Sequence, residues 1–161
     1  MKTIYFIRHA KSNWKEQGIS DFDRPLNKRG KKDVPLMANR LKHFDIKPDL
    51  ILSSPALRAK KTSQIISETL ECDIGFNSKL YESSVEDYLQ ILRTLPKDIN
   101  TLIVVAHNPE ITLTCELLTD MILGTIPTSG IVGISCNIDS FEEIGEGCGK
   151  VLFFDYPKKH A

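Results

Sequence analysis

Apolar residues in this chain come in short dense blocks, separated by longer stretches where they recur every three or four positions. TIYFIR at 3–8 is β-branched and aromatic with almost no polar residue, the pattern of a strand buried on both faces. DLILS at 49–53 and NTLIVVA at 100–106 read the same way. Residues 131–138 and 150–155 are two further strand candidates, turned into one another by the glycine-rich 145–149. Between these blocks lie helical patterns. Val34, Met37, Leu41 and Phe44 share helical spacing, and Pro35 within that segment predicts a kink or a frayed first turn. Ser54-Pro55 predicts the start of a second helix running to about Leu70, with Ser54 as N-cap and Pro55 at the first helical position. A third spans 85–95, begun near Ser83 or Ser84 and stopped by Pro96. Asn108-Pro109 starts a fourth with the same cap chemistry.

Strands alternating with helices imply a mostly parallel sheet covered on both faces, a three-layer α/β/α sandwich. No repeat or low-complexity linker interrupts the 161 residues, so a single domain is expected over 1–161, long enough to bury a core. In such sheets ligands bind beyond the carboxyl ends of the strands.

Charge narrows the partners. Lys plus Arg equals Asp plus Glu at 21 each, so no global field favours nucleic acid or an acidic membrane, and any basic site must be local. KTIYFI is only a short apolar run, which predicts neither a signal peptide nor a transmembrane span. Cys72, Cys115, Cys136 and Cys148 stand at neither metal-ligand nor redox-pair spacing, which predicts free thiols in a reducing cytoplasm.

The candidate chemistry follows from the strand ends. His9 follows the first strand and His107 the strand at 100–106, so both should emerge at the carboxyl edge of the sheet. Arg8 adjoins His9, and Arg58 lies near the start of the second helix. Two arginines and two histidines on one rim suit a phosphoryl group, because guanidinium offers a planar fork of donors and a helix start adds free N–H groups. Taken singly, each has a plainer reading: a histidine satisfied in a loop, an arginine on a solvated helix face beside Lys60 and Lys61.

Three ordered motifs carry a resemblance. FIRHAKSNW at 6–14 resembles the R-H-G-x-S-x-W signature of the histidine phosphatases, the phosphoglycerate mutase-like superfamily. SSPALRAKKT at 53–62 is similar to its S-S-x-x-x-R-A-x-x-T segment, and VVAHNP at 104–109 to the strand end carrying its second histidine. RHAKS, DRPL at 23–26 and AHNP look most like the SixA-type phosphohistidine phosphatase branch. The resemblance implies the phosphoglycerate mutase-like fold, His9 as the nucleophile that becomes phosphohistidine, and Arg8, Arg58 and His107 as the phosphate pocket. Ser12 matches a hydroxyl that touches phosphate, with a plain turn role as the alternative. Ala10 replaces the usual glycine after the nucleophile, which requires a negative φ there. Lys15 stands where many mutase-type members carry a phosphate-holding asparagine.

The implied reaction is in-line transfer to His9, followed by hydrolysis. The attacking nitrogen must be unprotonated. Nearby arginines should depress its pKa, and a backbone carbonyl should hold the other ring nitrogen. Neither metal nor cofactor is called for. Glu82, just before the third helix, stands where family members with a glutamate acid carry theirs, so the resemblance makes it the first candidate for general acid, with helix N-terminal electrostatics as its other reading. Asp21 and Asp23, in the long loop 10–25, are the alternatives, with a pairing to Arg24 as the plainer reading of Asp23. The helix at 85–95 leads almost directly into the next strand, leaving little chain for a lid. Three functions fit: a phosphatase acting on a histidine phosphotransfer protein, a phosphatase of small phosphate esters such as sugar phosphates or nucleotides, and a non-catalytic phosphate-binding module.

Overall fold

The computed structural model describes residues 1–14 and 17–160. In chain order these form β1 (Lys2–Arg8), α1 (Lys28–His43), β2 (Leu50–Ser53), α2 (Leu57–Leu70), β3 (Ile74–Phe76), α3 (Val85–Arg93), β4 (Thr101–Ala106), α4 (Glu110–Thr119), β5 (Ile131–Cys136) and β6 (Gly149–Asp155). The six strands make one sheet in the order β3-β2-β4-β1-β5-β6. β3, β2, β4 and β1 are parallel, and β5 runs against both its neighbours. The expected three-layer α/β arrangement is present.

The period-two alternation of the strands explains the layers. Ile4 and Phe6 of β1 join a core with Tyr88, Leu92 and Leu118 of α3 and α4. Ile7, one residue on, points the other way and joins Val34, Met37, Leu41 and Ile66 of α1 and α2. Both faces of the strand are therefore dry, as its uninterrupted apolar run demands. The path from β1 through β2 to β3 moves outward in one direction. The path back to β4 reverses it, and right-handed crossovers then put α3 and α4 on the opposite face. That reversal brings the carboxyl ends of β1 and β4 side by side, with Arg8 registered on Ala106.

Several local expectations are corrected. Helix α1 starts at Lys28, capped by the Asn27 side chain, so Pro35 lies in its interior rather than in its first turn. Ser54 is not the N-cap of α2. That helix begins at Leu57 without a side-chain cap, and the Leu57 N–H donates to the Phe22 carbonyl at 2.9 Å. Helix α4 likewise has no side-chain cap. The Asn108 amide donates instead to the Ile126 carbonyl at 3.1 Å and accepts from Thr112 Oγ1 at 2.7 Å. Ser54 Oγ accepts from the Ala56 N–H at 3.2 Å, ahead of the helix, and the Asn108 acceptor is taken by a hydroxyl of α4 itself. β3 is an edge strand of three residues, too short to register as a pattern. β5 ends at Cys136, and a short 3-10 turn at Phe141–Glu143 intervenes before β6. The four thiols are free, yet Cys136 and Cys148 sulfurs lie 3.4 Å apart. No helix among the described residues is long and apolar enough to cross a membrane.

Candidate active site

The site is built on the carboxyl edge where β1, β2 and β4 end. His9 and His107 follow registered strand residues, so their rings meet with centroids 5.1 Å apart. Both are buried, 6% and 7% exposed. The N–H of His9 donates to the Ala106 carbonyl at 3.1 Å, continuing the ladder past the strand end. Ser129, on the loop into β5, donates its N–H to the Arg8 and His9 carbonyls at 3.0 and 3.2 Å. The backbone under His9 is thus held from both neighbouring strands. Ala10 is fully buried, its φ is not positive, and its N–H donates to Thr62 Oγ1 at 3.0 Å. The methyl group that replaces glycine is accommodated. Gly30 meets a different constraint, because a Cβ there would collide with the Lys11 carbonyl, so the first turn of α1 can rest on the loop leaving His9.

His9 Nδ1 lies 2.8 Å from the Ala10 carbonyl, which accepts its proton and fixes the tautomer. Nε2 is thereby left as the acceptor, and the Arg58 Nε–H points to it at 3.4 Å. Burial first, and then the charges of His107, Arg58 and Arg8, drive the His9 pKa down to about 3 against the opposing bond to Ala10. The direction is the one the sequence suggests, but desolvation outranks the arginines as its cause. His107 is held near 4, again by burial first and then by Arg58, with Asp21 opposing. Both rings are neutral at pH 7. His107 Nε2 is 2.7 Å from Ser54 Oγ, while its Nδ1 is buried without a protein partner among the described residues. Arg8 donates from one terminal nitrogen to the Ile126 carbonyl at 3.0 Å, and its Nε is likewise buried and unpartnered.

Arg58, 6% exposed, gives its two terminal nitrogens to Asp21, at 2.7 Å to the carbonyl and 3.1 Å to the carboxylate. Asp21 also accepts from Tyr81 Oη at 2.7 Å and from Arg24 at 2.7 Å. Partial burial works to raise the Asp21 carboxyl, but the bonds from Tyr81 and Arg58 and the guanidinium charges outweigh it and hold it at about 2. Arg24 also donates from Nε to Ser12 Oγ at 2.8 Å and stacks on Trp14, 3.4 Å from the ring centroid. Arg8, His9, Ser12, Trp14, Asp21, Arg24, Arg58 and His107 line a pocket of about 400 Å³. It can hold a tetrahedral anion beside an unprotonated imidazole nitrogen.

The family model of the histidine phosphatase superfamily (branch 1) matches residues 4–94 of this chain. The chain belongs to that superfamily. Among solved structures it is similar to a putative phosphohistidine phosphatase SixA from Agrobacterium tumefaciens, at 28% identity and TM-score 0.84, covering 97% of this chain and 98% of that one. An uncharacterised protein of Mycobacterium tuberculosis is 26% identical over 162 residues, covering 94% of this chain and all of that protein. An uncharacterised chloroplastic protein of Arabidopsis thaliana is 30% identical over 118 residues, 66% of this chain, which spans about half of that relative's length (54%). The expected SixA-type resemblance stands, and the protein is a phosphatase of this superfamily.

In this histidine phosphatase Arg8, His9, Arg58, His107 and Ser12 all line one pocket. Ser12 Oγ accepts from Arg24 and retains a proton to donate. Asp21 reaches the pocket as an ionised partner of two arginines. Asp23 does not pair with Arg24. It is exposed and bonded to Ser20 Oγ at 2.9 Å. Glu82 is exposed, in the left-handed region at φ 49°, beside the Tyr81 hydroxyl and outside the residues lining the pocket. Lys15 lies outside the described residues. Arg24, Ser54 and Tyr81 are not among the site residues the sequence predicts. The DRPL resemblance contains Arg24, the S-S-x-x-x-R-A-x-x-T segment contains Ser54, which the spacing reads as a cap, and nothing points to Tyr81.

Proposed function

We propose that this phosphatase removes phosphate from phosphohistidine carried on another protein, through a phosphohistidine intermediate on His9. The observation that carries the reading is the orientation of His9, with Nδ1 tied to the Ala10 carbonyl and Nε2 facing Arg58 in the pocket. In the first step the His9 Nε2 lone pair forms the N–P bond as the donor's N–P bond breaks, and the departing imidazole nitrogen takes a proton from water. In the second step water attacks phosphorus, phosphate leaves, and Nε2 recovers its lone pair. Arg8, Arg58 and the His107 Nδ1 position hold the equatorial oxygens, where each preorganised donor is typically worth about 100- to 1,000-fold. Ser54 positions His107 by its 2.7 Å bond, and Asp21 orients Arg58 and Arg24.

The substrate class follows from the acid. Asp21 is held ionised, Asp23 is turned to Ser20, and Glu82 stands exposed outside the pocket lining. No carboxyl among the described residues is buried beside His9 in protonated form. An alkoxide leaving group needs such a proton, whereas imidazole departs with little help. The loop beside the pocket also exposes Trp14, Ile19 and Phe22, an apolar rim suited to a protein surface.

The test is a panel in which labelled phosphohistidine protein and small phosphate esters are offered in parallel to wild type and His9→Ala. Faster release from the phosphoprotein, lost in His9→Ala, is the expected result. Equal or faster turnover of the esters overturns the substrate, and retained activity in His9→Ala overturns the mechanism. Phosphate binding without turnover would return the protein to a binding module.

A further inference from the structure

A second cavity of about 680 Å³ adjoins the phosphate pocket, with Lys11, Ser12 and Trp14 as common walls. Its remaining walls include Lys28, Arg29 and Lys31 from the first turn of α1, and no acidic residue among the described residues lines it. Arg29 is 3.5 Å from Asp33 one turn on. Lys11, Lys28 and Lys31 have no carboxylate within 4.0 Å among the described residues. The whole chain is neutral, so this concentration is local.

Helix stability does not account for these cations. The start of a helix is the positive end of its dipole, where lysine and arginine are disfavoured and carboxylates favoured. Here the first turn holds no acidic residue, and Lys28, Arg29, Lys31 and Lys32 crowd together. Like charges so close repel as well. At Lys28 and Lys31, which have no carboxylate within 4.0 Å among the described residues, a local rule broken without compensation points to a role outside the fold. Trp14, 74% exposed and stacked on Arg24, adds a flat apolar surface where the trough meets the pocket.

We propose that this trough receives an acidic segment flanking the phosphohistidine of the substrate protein, and so selects substrates by the charge beside the phosphorylated residue. The inference rests on the phosphohistidine reading above. Charge complementarity identifies the occupant: the trough offers four cations and one aromatic face, and a glutamate- or aspartate-rich stretch relieves the repulsion among them.

The experiment compares kcat/KM on two synthetic phosphohistidine peptides, one flanked by glutamates and one by serines, with free phosphohistidine measured in the same series. At low salt wild type should prefer the acidic peptide by about tenfold, and the preference should shrink toward one in 0.5 M salt. In Lys28→Glu/Lys31→Glu it should vanish or reverse, with Lys28→Ser/Lys31→Ser intermediate. Glutamates at these positions suit the dipole, so the Tm of the double variant should hold or rise while discrimination is lost. Trp14 is the sole tryptophan, and its fluorescence should respond to the unphosphorylated acidic peptide and not to the serine peptide. A preference near one in wild type, or an unchanged preference in the double variant, overturns the trough while turnover of free phosphohistidine leaves the proposed reaction standing. Failure of wild type to turn over any phosphohistidine overturns the reaction and the trough with it.

Discussion

His9 and His107 leave adjacent parallel strands at the same level, equally buried and both neutral, yet the protein anchors them by opposite nitrogens. His9 is tied through Nδ1 to its own neighbour's carbonyl and keeps Nε2 for the pocket. His107 is tied through Nε2 to Ser54 and keeps Nδ1. A backbone carbonyl only accepts, so it fixes a proton on Nδ1 of His9 and a lone pair on Nε2. A serine hydroxyl both gives and takes, so it holds His107 without forcing it to be a nucleophile. The anchor, more than the burial or the charge, separates the histidine proposed to attack from the one proposed to bind the phosphoryl oxygens.

The comparison is broken most sharply at His9. His9→Ala should lower phosphohistidine turnover by at least about 10,000-fold, read as released phosphate. His107→Gln should lower kcat by about 100- to 1,000-fold while a phosphoenzyme still forms, which rapid-quench labelling detects. Ser54→Ala, which frees the His107 ring, should lower kcat by about tenfold with KM little changed, and Ser54→Thr should restore most of it. Glu82→Gln should change phosphohistidine turnover by less than about threefold, because imidazole leaves without a strong acid. A large loss there would restore Glu82 as the acid and favour ester substrates.

The same two rings set a pH dependence of stability. Their folded pKa values, about 3 and 4, lie below the ordinary histidine value of 6.5. As pH falls below 6.5 the unfolded chain takes up protons that the native rings refuse, so stability declines from there until the rings titrate near pH 4 to 3. Asp21, held at about 2, contributes stability that is present above the ordinary carboxylate range and lost below it. Urea midpoints from pH 7 to 4.5 should therefore fall less steeply in His107→Gln than in wild type.

The sheet and the meeting of Arg8, His9, Arg58 and His107 in one pocket were legible because each rests on short-range pattern: an apolar run that ends in Arg8-His9, another that ends in His107, and Arg58 in the first turn of a helix. What escaped rests on contacts between distant segments. Ser54 reads as a cap because Ser-Pro commonly opens helices, but its hydroxyl serves His107, 53 residues on, while the Phe22 carbonyl takes the helix N–H. Arg24 reads as the partner of its neighbour Asp23, but it bonds Asp21, three residues back, and Ser12 across the folded loop. Cys136 and Cys148 become neighbours only when β5 meets the chain entering β6.

The central claim is that His9 Nε2 carries the phosphoryl group. Wild type mixed rapidly with labelled phosphohistidine substrate and quenched in base should retain label that is acid-labile and base-stable. Peptide mapping should place it on His9 in wild type and in His107→Gln, with none in His9→Ala. Label on His107, or phosphate release by His9→Ala without any labelled intermediate, would contradict the account.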